Sequence, residues 1–314
     1  MKKISFVIPC YGSENTIESV VNSIFKTMDE AKLTYEIILV NDSSPDHVWD
    51  KITEITEQHQ GIKAISFSKN FGQHSALMAG YRVAEGDYIV TIDDDGQTPV
   101  SEVFTMINKI EEGYDVVYAY YQERKDSSFR KLGSKINNVM SEKLVGKPRN
   151  VQFTSYFVMR KFVCEELIKY ENPYPYIWGL VARTTSNIAN VKINHQERED
   201  GKSGYTLKKL FSLWMNGFTA FSVIPLRLAT LLGMGIAFIS FIFIIYLVVA
   251  KILNPDMAAG YASTMSAILF IGGIIMVLIG MLGEYIGRIY ISMNNSPQYV
   301  IKEKIVSNDN SQIK

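Results

Sequence analysis

Cysteine is nearly absent from this 314-residue chain: there are two, Cys10 and Cys164, far apart and in no metal-ligand spacing. That argues against a disulfide framework and fits two reduced core thiols in a cytosolic domain. The four histidines, His47, His59, His74 and His195, share no ligand spacing either, so each reads as an ordinary polar residue rather than a zinc ligand. No charge sign dominates, with 32 Lys+Arg against 32 Asp+Glu, whereas a nucleic-acid-binding protein normally carries a basic excess. No nucleic-acid partner is therefore expected. No Gly-x-Gly-x-x-Gly follows a strand-like run, which disfavours a dinucleotide site, and Gly201-Lys202-Ser203 fails as a P-loop because Gln196 stands where the first glycine is required. There is no internal repeat and no low-complexity tract. The apolar run Ile4–Ile8 behind Met1-Lys2-Lys3 is too short for a signal-peptide core and reads as a first strand.

What is present is concentrated in a few places. The chain is 47% hydrophobic and 20% charged, enough for one large core and something more. Residues 87–97 read Asp-Tyr-Ile-Val-Thr-Ile-Asp-Asp-Asp-Gly-Gln, an apolar strand running into three carboxylates. Strand residues favour burial, and adjacent acids repel one another and resist it. A divalent cation would hold Asp93, Asp94 and Asp95 together, since Mg²⁺ sits on one or two carboxylates plus substrate phosphates. The alternative is a solvated acidic turn.

Residues 1–121 alternate between two periodicities. Ile4–Pro9, Tyr35–Asn41, Ile62–Phe67, Asp87–Asp93 and Asp115–Tyr120 read as strands; Ile17, Val20, Val21, Ile24, Phe25 and Met28 share one helical face, and Glu102–Glu111 is similarly amphipathic. The pattern predicts an α/β fold with a mostly parallel sheet covered on both faces, whose ligands bind beyond the carboxyl ends of the strands. Pro9-Cys10-Tyr11, Asn41-Asp42 and the Asp triplet all fall at such ends. Gln122–Arg130 reads as a polar loop over the site, and Asn172–Tyr176 as a turn-rich aromatic stretch.

The apolar surplus lies near the C-terminus. Neither Leu228–Ala250 nor Ser263–Gly283 contains a charged residue, and each has the length, about 20 residues, that crosses a hydrocarbon core of about 30 Å. Two such runs joined by a short loop predict a transmembrane hairpin (227–290). Lys208, Lys209 and Arg227 precede the first run and Arg288, Lys302 and Lys304 follow the second, against only Lys251 and Asp256 in the connecting loop. Basic flanks place both termini in the cytoplasm. Residues 206–226, with Leu207, Leu210, Phe211, Trp214 and Phe218 set against Lys208 and Lys209, read as an amphipathic juxtamembrane helix, a domain-packing helix being the alternative. The expected organisation is a cytosolic catalytic domain (1–205), this helix, the hairpin, and a polar, mobile cytosolic tail (291–314). Gly283 and Gly287 form a Gly-x-x-x-Gly pair that would support helix packing and a homo-oligomer. Glu284 and Arg288, four apart, would pair along the helix or serve as boundary anchors.

Taken together, Val7-Ile8-Pro9-Cys10-Tyr11, Val40-Asn41-Asp42-Ser43-Ser44-Pro45-Asp46 and Ile92-Asp93-Asp94-Asp95-Gly96-Gln97 resemble the three signatures of the family 2 glycosyltransferases of GT-A fold. Asn70-Phe71-Gly72-Gln73-His74-Ser75-Ala76, Arg198-x-x-Gly201-Lys202-Ser203-x-Tyr205 and Leu282-Gly283-Glu284-Tyr285-Ile286-Gly287-Arg288-Ile289-Tyr290 narrow the likeness to enzymes that load a sugar onto a polyprenyl phosphate: the undecaprenyl-phosphate aminoarabinose-type transferases, the bactoprenol glucosyltransferases and dolichol-phosphate mannose synthase. The resemblance implies a GT-A nucleotide-diphospho-sugar transferase domain with a C-terminal transmembrane hairpin in a bacterial inner membrane. It implies that Asp93, Asp95 and Gln97 bind Mg²⁺ or Mn²⁺ and the diphosphate of a nucleotide sugar, and that Pro9, Tyr11 and Asp42 hold the nucleoside. Arg198, Lys202, Ser203 and Tyr205, with Arg124 and Arg130, would meet the lipid phosphate, whose oxygens the arginine fork matches. Asp94 counts with the substrate-binding residues, and Arg198 with Asp93 and Asp95 as catalytic.

One departure matters. Relatives carry an acid near the segment written here Val151-Gln152-Phe153-Thr154-Ser155-Tyr156, yet no carboxylate occurs from Asn150 to Val163. Transfer to a hydroxyl would then lack its obvious general base. A phosphate monoester, with a second pKa of about 6, is ionised near neutrality and attacks without one. The expected activity is therefore inverting transfer of a sugar from a nucleotide diphosphate, UDP by preference, to undecaprenyl phosphate. A transferase with a hydroxyl or polysaccharide acceptor and a non-catalytic membrane scaffold are the alternatives. A processive synthase is disfavoured because no Gln-x-x-Arg-Trp occurs.

Overall fold

The computed structural model describes residues 2–121, 151–193, 224–254, 260–293 and 296–307. The apolar runs become strands at or near the expected bounds: β1 (Ile4–Cys10), β2 (Tyr35–Asn41), β3 (Ile62–Phe67), β4 (Tyr88–Thr91) and β5 (Val116–Tyr121). Helix α1 (Ile17–Ala31) buries Ile17, Val20, Val21, Ile24 and Met28, the apolar stripe read from the sequence. Then come α2 (Val48–Gln58), α3 (Gln73–Tyr81) and, after one 3₁₀ turn, α4 (Val103–Glu111). The second half adds β6 (Phe157–Arg160), α5 (Lys161–Leu167), α6 (Ile177–Thr184), β7 (Ile188–Ile193), α7 (Ile224–Leu253), α8 (Tyr261–Met293) and β8 (Ile301–Val306).

All eight of these strands join one sheet in the order β7-β5-β6-β4-β1-β2-β3-β8. The β4-β1-β2-β3 block and the β5–β7 pair are parallel; β6 runs antiparallel between β4 and β5. Register sets Cys10 opposite Asn41 and Val7 opposite Thr91, so β1, β2 and β4 deliver their carboxyl ends to one edge. Ile4, Phe6 and Ile8 of β1, with Ile37 and Leu39 of β2, face the buried stripe of α1. On the other face α3 presses directly on the strands. A Cβ placed on Gly80 would lie 2.3 Å from Val7 Cγ1, so only glycine permits this approach. Both cysteines are free and buried, as expected of core thiols.

The tail departs from expectation. Instead of a mobile polar end from Ser296 onward, Ile301–Val306 pairs antiparallel with β3, and Trp49 Nε1 of α2 donates to Glu303 Oε2 at 3.0 Å. The strand reads Ile-Lys-Glu-Lys-Ile-Val, and charged side chains on an edge strand discourage further pairing. Tyr299 stacks on Phe67 at 5.1 Å, and Gln298 Nε2 donates to the carbonyl oxygens of Tyr170 and Asn172. The chain accordingly divides into two units, Met1–Gly204 with Asn295–Lys314, and Tyr205–Asn294.

In the second unit, α7 and α8 contain the two charge-free runs. One stretch among the described residues, Phe270–Gly287 of α8, is long and apolar enough to cross a membrane, with mean hydropathy 1.9 and none of it buried; α7 carries a shorter apolar stretch, Gly233–Phe243. Large apolar side chains such as Phe238, Phe241, Phe270 and Met276 are exposed. The proposed amphipathic helix from 206 lies outside the described residues up to 223, as do the side chains of Glu284 and Arg288.

Candidate active site

Three strand ends and the start of α3 build the site. At β1, Tyr11 is 55% exposed, and its backbone N–H donates to Asp94 Oδ2 at 2.9 Å. Thr16 Oγ1 donates to the Asp94 carbonyl oxygen at 2.6 Å. The loops after β1 and β2 are tied across: Gly12 N–H donates to Ser44 Oγ at 2.8 Å, Glu14 N–H to Asp46 Oδ2 at 3.0 Å, and His47 N–H to Glu14 Oε2 at 2.9 Å. These bonds fix a shallow platform with the exposed Tyr11 ring at its rim. Pro9 is buried inside β1.

Asp42 follows the carboxyl end of β2. It is 3% exposed, and its two oxygens accept the backbone N–H groups of Phe71 (2.7 Å) and Gly72 (2.8 Å). Burial raises its carboxyl pKa while those two amides hold it down. The acid fixes the turn that starts α3, where Gly72 takes φ 92°. Gln73, the next residue, then reaches the metal-type acids.

The triplet divides three ways. Asp93 Oδ1 accepts Gln73 Nε2 at 3.1 Å, and its Oδ2 accepts the Ser155 hydroxyl. Burial, reinforced by the charges of Asp95 and Asp94, pushes Asp93 up to about 6. Asp94 turns back to the Tyr11 amide, and burial raises it too. Asp95 is exposed, and its one hydrogen bond among the described residues is local, from the Gln97 N–H to Oδ1 at 3.0 Å. Among the described residues no three His, Cys, Asp or Glu side chains are grouped as a metal cage. One or two carboxylates plus substrate phosphates are what Mg²⁺ or Mn²⁺ takes in nucleotide sites, so Asp95, with Asp93 and Gln97 beside it, fits such an ion. Gln73 and Ser155 were not singled out as site residues from the sequence. Arg124, Arg130, Arg198, Lys202, Ser203 and Tyr205 lie outside the described residues.

Comparison with known proteins gives the family. Residues 5–168, more than half of the chain, match Glycosyl transferase family 2. The chain belongs to that family. The transferase also matches the GtrB C-terminal hairpin over residues 224–289, which covers α7 and most of α8. It is similar to the undecaprenyl-phosphate 4-deoxy-4-formamido-L-arabinose transferases of Yersinia pestis (strain Pestoides F) and Yersinia pseudotuberculosis (serotype O:3, strain YPIII), each 34% identical over 308 residues that span 97% of this chain and 94% of the relative. Among solved structures, glucosyl-3-phosphoglycerate synthase from Mycobacterium tuberculosis in complex with UDP aligns with TM-score 0.51 at 20% identity, covering 67% of this chain and 75% of that one, which shows a shared GT-A fold. The transferase is thus a glycosyltransferase with a GT-A catalytic unit and a C-terminal hairpin.

Proposed function

We propose that the transferase moves a sugar, with inversion, from a nucleotide diphosphate, UDP by preference, to undecaprenyl phosphate, giving a lipid-linked sugar for cell-envelope glycan modification. One observation carries the choice of acceptor. Val151–Val163 holds no carboxylate, and the hydroxyl of Ser155, in the position where a base would be sought, is spent on Asp93. Nothing in that segment would deprotonate a hydroxyl acceptor, and an ionised phosphate monoester requires no base. The 34% identity to undecaprenyl-phosphate transferases along 97% of the chain supports the same acceptor.

Tyr11 and the platform tied by Ser44 and Asp46 would receive the nucleoside. Asp95, with Asp93 and Gln97, would hold Mg²⁺ or Mn²⁺ against the donor diphosphate; when bound, the ion offsets charge on the leaving group. Gln73 and Ser155 orient Asp93 there. Arg198, Lys202, Ser203, Tyr205, Arg124 and Arg130 are proposed to meet the lipid phosphate. Catalysis then rests on alignment and electrostatics rather than proton transfer.

The hairpin is proposed to cross the bacterial inner membrane twice, with both termini cytoplasmic. β8 follows α8 in sequence yet pairs with β3, so the chain before and after the hairpin shares one sheet. That requires an even number of crossings. A homo-oligomer through Gly283 and Gly287 is proposed with it. The test offers the full-length protein a panel of nucleotide sugars with Mn²⁺ and radiolabelled undecaprenyl phosphate, and reads the mass of the lipid product. A prenyl-phospho-sugar is expected; transfer to hydroxyl acceptors alone would overturn the assignment.

A further inference from the structure

We propose that Tyr299, with Gln298 beside it, is a positioning residue for the transfer reaction: the chain that returns from the hairpin holds the turn that carries Gln73 to Asp93, so the donor site is complete only when that chain is seated. This rests on the transferase reading above and gives the tail a role in it. Gln298 and Tyr299 come shortly after Met293, the last residue of α8.

What this segment buries lies ahead of β8 rather than in it. Along Ile301–Val306 only Ile305 is half-buried, and the rest are exposed. Gln298, by contrast, is 7% exposed, and its Nε2 donates to the carbonyl oxygens of Asn172 at 2.9 Å and Tyr170 at 3.3 Å. Those bonds pin the chain, and the next side chain, Tyr299, lays its ring over Phe67, with 5.1 Å between centroids and 8° between planes. The Val300 carbonyl oxygen then accepts the Ser68 N–H at 3.0 Å. An edge strand that merely closed the sheet would need neither a buried amide nor a stacked ring in front of it.

From Phe67 the contacts run to the acids. Phe67 is 1% exposed, and Phe71 meets it edge to face at 5.7 Å and 87°. The Phe71 N–H donates to Asp42 Oδ1 and the Gly72 N–H to Asp42 Oδ2. Gln73 follows and bonds Asp93 Oδ1. The turn 68–72 is therefore gripped from two sides: by Asp42 behind β2, and by the returning chain through Val300 and the Tyr299, Phe67 and Phe71 rings. Stacked and edge-to-face ring pairs are directional, so Tyr299 fixes Phe67 and Phe67 fixes Phe71. The pairing of β3 with β8 is also irregular at this point. Ser66 faces Glu303 and Phe67 faces Ile301, which leaves Lys302 as an extra residue. Such a bulge bends the edge and re-aims the side chains beside it, here Phe67.

The test makes two measurements on the full-length protein in detergent. Hydrogen exchange over residues 68–75 reads the turn without any ligand. Mn²⁺ binding with UDP present, followed by the EPR signal of free Mn²⁺, reads the site. Tyr299→Ala should speed exchange of the Phe71 and Gly72 amides by about tenfold and weaken Mn²⁺ binding by about tenfold. Tyr299→Phe, which keeps the ring, should match wild type within about twofold in both. Glu303→Ala, which releases Trp49 elsewhere on β8, should leave the Mn²⁺ Kd within about twofold. Gln73→Ala alone should weaken Mn²⁺ binding by about tenfold, and adding Tyr299→Ala to it should cost less than about twofold more, because the link to Asp93 is already cut. If Tyr299→Ala does not fold, Tyr299→Leu, which keeps an apolar side chain without a ring, decides. Unchanged exchange over 68–75, an unchanged Mn²⁺ Kd, an equal loss in Glu303→Ala, or effects of Tyr299→Ala and Gln73→Ala that simply multiply would each overturn the role. A wild-type protein that binds neither UDP nor Mn²⁺ would instead bring down the transferase reading, with the exchange result still deciding whether the tail holds the turn.

Discussion

Replacing Asp93 by Asn separates what this acid costs the fold from what it contributes to the reaction. In the metal-free protein, burial and the charges of Asp95 and Asp94 raise its carboxyl from 3.8 to about 6. The unfolded chain keeps the ordinary value, so the folded state holds the proton to higher pH. The penalty is absent below about pH 3, where both states are protonated; it grows between about pH 3 and 6 and is nearly constant above. About two pKa units at 1.36 kcal/mol each amount to about 3 kcal/mol. Asparagine removes the charge and preserves the contacts: its oxygen still accepts Gln73 Nε2, and the Ser155 hydroxyl, which accepts as well as donates, turns to receive the amide N–H. Asp93→Asn should therefore stabilise the protein by about 2–3 kcal/mol at pH 7.5 in EDTA, leave it nearly unchanged at pH 3, and lower turnover by about 100-fold or more. Mn²⁺ should narrow the gap at pH 7.5, because an ion bound to the folded wild type at 100 times its Kd adds about 2.7 kcal/mol that the variant largely forgoes. Urea unfolding of both proteins at the two pH values, with EDTA and with Mn²⁺, reads all of this. A variant less stable than wild type at pH 7.5 in EDTA, or a gap equal at both pH values, would refute the reasoning.

Three further outcomes follow from the packing. Gly80→Ala forces a Cβ to 2.3 Å from Val7 Cγ1 and 3.4 Å from Val40 Cγ2, and should cost about 1–3 kcal/mol, partly recovered by adding Val7→Ala, in urea unfolding. Asp42→Asn turns one of two acceptors into a donor aimed at a backbone N–H; it should cost about 1–3 kcal/mol and lower kcat more than it raises the donor KM, because the displaced turn carries Gln73 away from Asp93. Glu36, 2% exposed, accepts the Ser5 hydroxyl and the Glu85 N–H and pairs with Lys63 (2.9 Å) and Lys3 (3.2 Å); Glu36→Ala leaves that hydroxyl and amide without this acceptor, while Lys63 keeps Glu85 (2.6 Å) and the Val83 carbonyl oxygen (2.9 Å), and should cost about 1–3 kcal/mol of stability with the UDP Kd unchanged.

The parallel half of the sheet was legible because its strands are buried on both faces and read as mostly apolar runs, such as Ile4–Cys10, interrupted by Ser5, and Tyr35–Asn41, interrupted by Glu36. The stripe of α1 was legible because a helix covering a sheet must keep its apolar residues on one side. Asp93–Asp95 stood out because acids at a strand end need a reason. What escaped depends on partners distant in sequence. Ile301–Val306 looks like a polar tail until β3 is beside it, since an edge strand has little to bury. Phe157–Arg160 is four residues long and gains its identity from lying between β4 and β5. Asp42 reads from the sequence as a ligand contact; that its oxygens also accept amides 29 and 30 residues away is announced by no local pattern. The absence of an acid from 150 to 163 was visible; that Ser155 would turn its hydroxyl onto Asp93 was not.

The most direct measurement is the rate of sugar transfer to undecaprenyl phosphate as Mn²⁺ is titrated into metal-free protein, for wild type and Asp95→Asn side by side. Asp95 is the exposed member of the triplet, with only a local hydrogen bond from Gln97 among the described residues, so it is the carboxylate placed to meet an incoming ion. The account predicts a saturable, Mn²⁺-dependent rise in lipid product for wild type and a rate lower by about 100-fold or more for Asp95→Asn at every Mn²⁺ concentration, with the variant folded. Transfer that proceeds undiminished in EDTA, or at the wild-type rate in Asp95→Asn, would contradict it.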